Sequence, residues 1–419
     1  MVRSPLSRRF AGPAADAGIA RLALVIGLAA VIVTGGGTAA LLSGTQTRLT
    51  AIGSSAAPRP TPAPPAPVVA IAGQRVAQSG VTVPWQHPLS LAVTEGTLRS
   101  VTATGPLGAV AGTLTRTRWT GRTTLLPSSA YVLHAVVADR DGKLTRLNRT
   151  VHSSAAENVL HANLSPDGLT VGVGSPVIVR LDQAVTGPAA RAALLQRLHV
   201  ATSPEVEGAW HFYNSYEVHY RPREYWAPGT NVQVQADLRR FRVPGTTTWG
   251  SDIPRSTSFT IGDSLISTVD ITAHTMAVTR NGQLLRVLPV STGRAIYPTK
   301  GGVHIILTVE KEHLYDSSTV GIPTDGPDGY YEKLPFSMRI SNAGAFVHAN
   351  PATVKYQGRQ NVSHGCINLS LDDAHWFYSL SHRGDVVDVI HAVIAPVVSD
   401  AGMADWNYTW EQWKAGNLA

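Results

Sequence analysis

A single cysteine in 419 residues constrains this chain more than any other feature. One thiol cannot close an internal disulfide, and it is a poor basis for a structural metal site. That leaves buried filler or chemistry. The thiol stands at the centre of Ser363-His364-Gly365-Cys366-Ile367-Asn368. Beside a histidine and a glycine in a polar loop, a nucleophile is the better reading.

The rest of the chain reads as mainly β. Glycine (38) and proline (27) are frequent, charged residues make up only 15%, and Val, Thr and Ala dominate many segments. That mixture favours turn-rich β domains over helical bundles. The formal charge of +7 is spread along the chain. No basic block with interleaved aromatics follows the N-terminus, so nucleic acid is not an expected partner. A basic surface outside the cell suits anionic wall polymers or lipid headgroups, or serves solubility alone.

Arg3, Arg8, Arg9 and Arg21 form a basic stretch over residues 1–21, ahead of an apolar run at residues 22–42. About 20 apolar residues span a bilayer as a helix, and the preceding positive charge places the N-terminus inside. A transmembrane anchor is therefore expected, with a cleaved signal peptide as its rival. Either one puts the remainder outside the cytoplasm, in the periplasm or cell wall. Residues 43–67 are a proline-rich spacer, suited to extended polyproline conformations.

Residues 68–154 show short alternating segments. Tyr131, Leu133, Ala135 and Val137 share one face, and Asp141-Gly142 signals a hairpin before residues 144–151. This predicts an immunoglobulin-like β-sandwich. A second such sandwich is expected over residues 155–262, with a short helix at residues 188–198. Its aromatics, Trp210, Phe212, Tyr220, Tyr225 and Trp226, fit a core and a domain contact better than sugar binding. Residues 263–393 differ in texture. Asn281-Gly282 marks a hairpin, strands follow at residues 303–309 and 345–347, and one prominent helix covers residues 371–381, capped by Ser370 and stopped by Gly384. In residues 394–419, Trp410 and Trp413 have helical spacing and predict a short segment docked on a preceding domain.

A thiol becomes a good nucleophile when a base removes its proton. His348 ends an apolar strand and can face Cys366 from a separate element. His364 shares the tight turn and is assigned a loop-holding role. Gly365 lets the chain approach closely, so the backbone N–H groups of Gly365 and Cys366 are candidate oxyanion donors. Asn368 is placed to bond the loop backbone or a substrate amide. No third and fourth ligand accompany His364 and Cys366 at metal spacing, so neither metal nor cofactor is expected.

His348, fourteen intervening residues and then Ser363-His364-Gly365-Cys366-Ile367-Asn368 resemble the signature of L,D-transpeptidases of the YkuD type. The resemblance extends to Asn281-Gly282-Gln283, Pro289-Val290-Ser291-Thr292-Gly293, Pro298-Thr299-Lys300-Gly301-Gly302, Trp376-Phe377-Tyr378 and Arg383-Gly384-Asp385-Val386-Val387. Gly208-Ala209-Trp210 and Arg221-Pro222-Arg223-Glu224-Tyr225-Trp226 resemble the immunoglobulin-like domain before the catalytic domain in actinobacterial members.

The resemblance covers residues from about 160 to the C-terminus. It implies an enzyme of peptidoglycan stem peptides. Cys366 would form a thioester at the third stem residue, expel the terminal D-alanine and yield a 3→3 cross-link to another stem's third-residue amine. His348 would shuttle the proton. Tyr330, Ala343, Gly344, Ser363 and Asn368 would line the substrate cleft under a lid formed by residues 311–333. Acylation by carbapenems is implied too. Ala349 departs from the family, which often has Ser after the base histidine. If that residue acts through its backbone carbonyl, orientation of His348 survives; if a hydroxyl is needed, activity is weakened. Two alternatives stay open: an L,D-carboxypeptidase with water as acceptor, and an inactive wall-binding protein.

Overall fold

In the strand Ala130–Ala138 every second side chain is buried, so Tyr131, Leu133, Ala135 and Val137 enter a core while Val132 and His134 face solvent. That period-two pattern recurs through the computed structural model, which describes residues 65–75, 80–395 and 404–418. The expected membrane span at residues 22–42, the basic stretch before it and nearly all of the proline-rich spacer lie outside the described residues. Among the described residues no helix is long and apolar enough to cross a membrane.

Two five-stranded sheets form the first sandwich. One orders Gln74–Arg75, Val68–Ile71, Pro88–Thr94, Arg118–Thr124 and Gly112–Leu114, and the other Val81–Val83, Leu144–Ser153, Ala130–Ala138, Thr97–Gly105 and Gly108–Ala109. Leu91, Trp85, Trp119 and Leu133 pack between them. The Asp141-Gly142 hairpin is present with a longer loop than a two-residue turn. Asp139 accepts hydrogen bonds from the N–H groups of Asp141 and Lys143 at 3.0 and 2.8 Å, and Gly142 takes φ 85°.

The second sandwich pairs the sheet Ala162–Ser165, Val177–Leu181, Glu217–Pro222 and Gly208–Asn214 with the sheet Thr170–Val171, Arg255–Ile261, Asn231–Ala236 and Leu198–Ser203. Its helix is Pro188–Leu195, shorter than the 188–198 expected. Leu198 instead opens a strand and pairs with Ala236. The aromatics are packing residues: Trp226, Tyr220 and Phe212 are buried, and the Trp226 indole donates to the Ser175 carbonyl at 2.8 Å. Trp249 leaves this unit to meet Trp85 edge-on, with centroids 5.6 Å apart.

Residues 263–393 form two further sheets over a shared core, with one helix packed against the second. The first orders Gln283–Pro289, Thr275–Arg280, Leu265–Asp270, Val386–Ile390 and Gly302–Ile305, and the second Thr308–Asp316, Tyr331–Arg339, Phe346–Ala349 and Ile367–Leu369. Asn281 and Gly282 both take positive φ, 50° and 80°, as a two-residue hairpin turn requires. The helix Leu371–Leu380 begins where the Ser370 hydroxyl accepts from the Asp373 N–H, which is the expected cap. It buries Ala374 and Phe377 against Val347 and Ile367 in the core behind the cysteine loop.

The C-terminal segment docks as its tryptophans predicted. The helix Trp410–Lys414 starts in a capping box at Thr409. Trp413 is buried, donating its indole N–H to the Ala209 carbonyl at 2.8 Å and stacking on His211. Arg221 lies over the rings of Trp406 and Trp413 at 4.5 and 4.6 Å. Asn407 then exchanges two hydrogen bonds with the Val303 backbone, at 2.8 and 3.0 Å. The segment thereby bonds both the second sandwich and the sheets that follow it. Behind it, His219 donates to Asp405 at 2.7 Å and to Glu217 at 2.8 Å. Burial opposes a charge on His219, yet those carboxylates raise its pKa to about 9.

Candidate active site

Strand register brings the two predicted residues together. Phe346–Ala349 and Ile367–Leu369 run parallel, with His348 opposite Asn368. Cys366 lies two residues before Asn368, on the same side of the chain, so it becomes the diagonal neighbour of His348. A backbone ladder thus sets their relative position, which sequence spacing alone does not.

His348 is buried, and its Nδ1–H donates to the Ala349 carbonyl at 2.9 Å. That bond fixes the tautomer and leaves Nε2 as the basic nitrogen. A serine hydroxyl is unnecessary, so the Ala349 departure costs the site nothing in orientation. Burial drives the His348 pKa down to about 4, outweighing the bond to Ala349. Burial also pushes the Cys366 thiol up to about 11. In this state the thiol points to the Gly344 carbonyl, 3.8 Å away.

The remaining cysteine-loop residues divide between holding and binding. The Ser363 hydroxyl donates to the Cys366 carbonyl at 2.6 Å and accepts from the Gly365 N–H at 3.1 Å. Ser363 lines the cavity, but its hydroxyl is committed to the loop. The same bond occupies the Gly365 N–H, one of the two expected oxyanion donors. Gly365 takes φ 112°, and the Thr299 hydroxyl holds its carbonyl at 2.9 Å. Asn368 is buried, with Nδ2 donating to Thr353 Oγ1 at 3.3 Å and Oδ1 left without a partner. An acceptor buried without a partner in a cavity wall fits a substrate N–H.

His364 is tied to Arg294. Its Nε2 receives an N–H from Arg294 at 2.9 Å. Burial first, and then the Arg294 charge, lowers its pKa. A lone pair held this way is not free to take a proton. Arg294 also pairs with Asp328, which accepts from the Tyr297 hydroxyl at 3.2 Å. Asp328 lies in the segment 311–333 expected as a lid. That segment is a hairpin: Thr308–Asp316 and Tyr331–Arg339 pair as strands with Asp316 opposite Tyr331. Only residues 317–330 form the tip, closed by the Ser317 N–H to the Tyr330 carbonyl at 3.0 Å.

Two cavities adjoin the cysteine loop. The first, about 250 Å³, is lined by Cys366, His348, Asn368, Arg294 and Tyr315 among others. The second, about 220 Å³, is lined by Ala343, Gly344, Val320 and Lys300 among others. Tyr330 and His364 line both. All the expected cleft residues therefore surround Cys366. Arg294, Asp328, Tyr297 and Tyr315 were not among them. Arg294 directly follows a quoted motif, but its partners lie 34 and 70 positions away, beyond any local pattern. Tyr315 is buried at the end of a strand, 4.8 Å ring to ring from His348.

The chain is similar to known proteins along most of its length. The model of the L,D-transpeptidase catalytic domain (YkuD) matches residues 265–389, and that of a bacterial Ig domain matches residues 80–241. L,D-transpeptidase 2 of Mycobacterium tuberculosis (strain CDC 1551 / Oshkosh) is 37% identical over 341 residues, covering 81% of this chain and 82% of the relative. L,D-transpeptidase 5 of Mycobacterium tuberculosis (strain ATCC 25618 / H37Rv) is 32% identical over 362 residues, 84% of this chain and 77% of its own length. Among solved structures, LD transpeptidase LdtMt1 in complex with imipenem is 35% identical, with a TM-score of 0.47, over 55% of this chain and 98% of its own.

Proposed function

The chain belongs to the L,D-transpeptidase family, with a YkuD catalytic domain after a bacterial Ig domain match, and on that premise we propose that it forms 3→3 peptidoglycan cross-links through a thioester on Cys366. The observation that carries the reading is the tautomer of His348: with Nδ1–H donated to Ala349, Nε2 is left as the basic nitrogen of a histidine that lines the same cavity as the chain's only thiol.

In the first half-reaction His348 Nε2 takes the thiol proton as Cys366 Sγ bonds to the carbonyl carbon of the third stem residue. The carbon–nitrogen bond to D-alanine breaks, and the nitrogen leaves with the proton from His348. In the second half, an amine from another stem's third residue attacks the thioester and gives its proton to His348. A carbon–nitrogen bond forms, and the thiol is regenerated when the proton returns to sulfur. The Cys366 N–H, beside the committed Gly365 N–H, serves the developing oxyanion. Asn368 Oδ1 accepts from a substrate amide.

A strained β-lactam carbonyl would acylate the same sulfur. Mass spectrometry after carbapenem treatment should show one adduct on the wild type and none on Cys366→Ala; an adduct on the variant would remove the nucleophile assignment. The catalytic region works outside the cytoplasmic membrane, held by a helix at residues 22–42. A soluble mature protein beginning near residue 40 or beyond would replace that anchor with a cleaved signal peptide.

A further inference from the structure

Resting on that reading, we propose that Arg294 binds the carboxylate of the D-alanine that leaves, and so selects donors that end one residue past the bond being broken. The argument begins with the proton. Only His348 is placed to hand a proton to the departing nitrogen, so the departing residue must lie on the His348 side of Cys366. That side is the first cavity, which both residues line; neither lines the second. Attached to the departing nitrogen is a carbon bearing a free carboxylate, which needs a cation.

Arg294 is the one arginine or lysine lining that cavity among the described residues. Two carboxylates, Asp328 and Glu332, line it as well. Without Arg294 the cavity would repel the substrate's own carboxylate.

Arg294 is also held still next to the nucleophile loop. Its N–H donates to the Ser363 carbonyl at 3.0 Å, and Gly293 bridges to Ser363. The guanidinium lies 4.9 Å from the Tyr297 ring centre. Nη2 serves Asp328 and His364, and Nη1 reaches the Val362 carbonyl at 3.4 Å. A guanidinium carries five N–H donors, so these bonds leave capacity for a carboxylate. The chemistry of the step is unchanged by this contact: the carbon–nitrogen bond breaks, the nitrogen takes its proton from His348, and the carboxylate stays ionised throughout. The contribution is positional, a charge-assisted bond that fixes the leaving nitrogen near His348 Nε2.

The test compares two tetrapeptide donors that differ only at the C-terminus, one a free acid and one a carboxamide. Acyl-enzyme formation on the full-length protein is followed by mass spectrometry. The wild type should acylate with the acid faster than with the amide by about tenfold to a hundredfold, the range of one charge-assisted hydrogen bond. Arg294→Gln should bring that ratio near unity, and Arg294→Lys should give an intermediate value. Asp328→Asn, which removes a competing carboxylate, should keep the ratio at least as large. Equal acylation of both donors by the wild type would overturn the assignment without any variant needing to fold. So would an Arg294→Gln protein that slows both donors in the same proportion, since that is the signature of mere support for His364 and the lid. Acylation by neither donor would instead sink the transpeptidase reading, and this one with it.

Discussion

Cys366 and His348 should rest as a neutral thiol and a neutral imidazole, and the alkylation rate of the thiol reads this directly. Burial holds the thiol at about 11 and the imidazole at about 4. At 1.36 kcal/mol per unit, moving the proton from sulfur to nitrogen in the resting site costs on the order of 10 kcal/mol. Even if the resulting charges came within about 4 Å, their attraction would return only about 4 kcal/mol at an effective dielectric of about 20. The neutral pair therefore wins by several kcal/mol, and the thiolate forms only as a substrate carbonyl receives it. Iodoacetamide has one target, since there is one cysteine. Its rate should climb roughly tenfold per pH unit through the neutral range and level off only above about pH 11. His348→Ala should leave that profile nearly unchanged, yet slow acylation by a stem-peptide donor by about 10²–10⁴. A plateau of alkylation between about pH 5 and pH 9, lost in His348→Ala, would refute the reasoning and show a preformed ion pair.

Three further outcomes follow from named contacts. His364→Ala should slow acylation far less than His348→Ala when both proteins melt cooperatively, because it strands only the Arg294 N–H and costs about 1–3 kcal/mol; a folded His364→Ala protein with no acylation, beside an active His348→Ala, would reverse the two roles. Trp413→Ala removes a buried indole, its bond to Ala209 and its stack on His211, and should lower unfolding stability by about 3–5 kcal/mol; a denaturant midpoint equal to wild type would show that the tail adds nothing. His219, raised to about 9, contributes stability that is complete below its unfolded pKa of about 6.5 and lost as pH rises through about 9. Thermal melts should therefore fall across that window and fall less in His219→Phe; an identical decline in the variant would contradict it.

Local patterns made most of the strands readable. Alternation at Tyr131–Val137, the Asn281-Gly282 turn and the Ser370 cap each act within a few residues, so their signals survive in the sequence. The helix after Pro188 was overextended because its end is set by Leu198 pairing with Ala236, a contact 38 positions away. The hairpin inside residues 311–333 is hidden for a similar reason: Lys333 is a strand residue through its pairing with Leu314, 19 positions away. Cys366 and His348 were legible from their residue types and flanks. Arg294 and Asp328 were not, since a surface arginine and a loop aspartate gain meaning only when folding brings them to His364.

The most direct measurement is mass spectrometry of disaccharide-tetrapeptides after incubation with the full-length protein, read beside Cys366→Ala. Dimers joined through their third residues, with one D-alanine released per link, are the expected products of the wild type alone. Tripeptides without dimers would mean that water takes the acyl group, and unchanged tetrapeptides would contradict a catalytic role for Cys366 altogether.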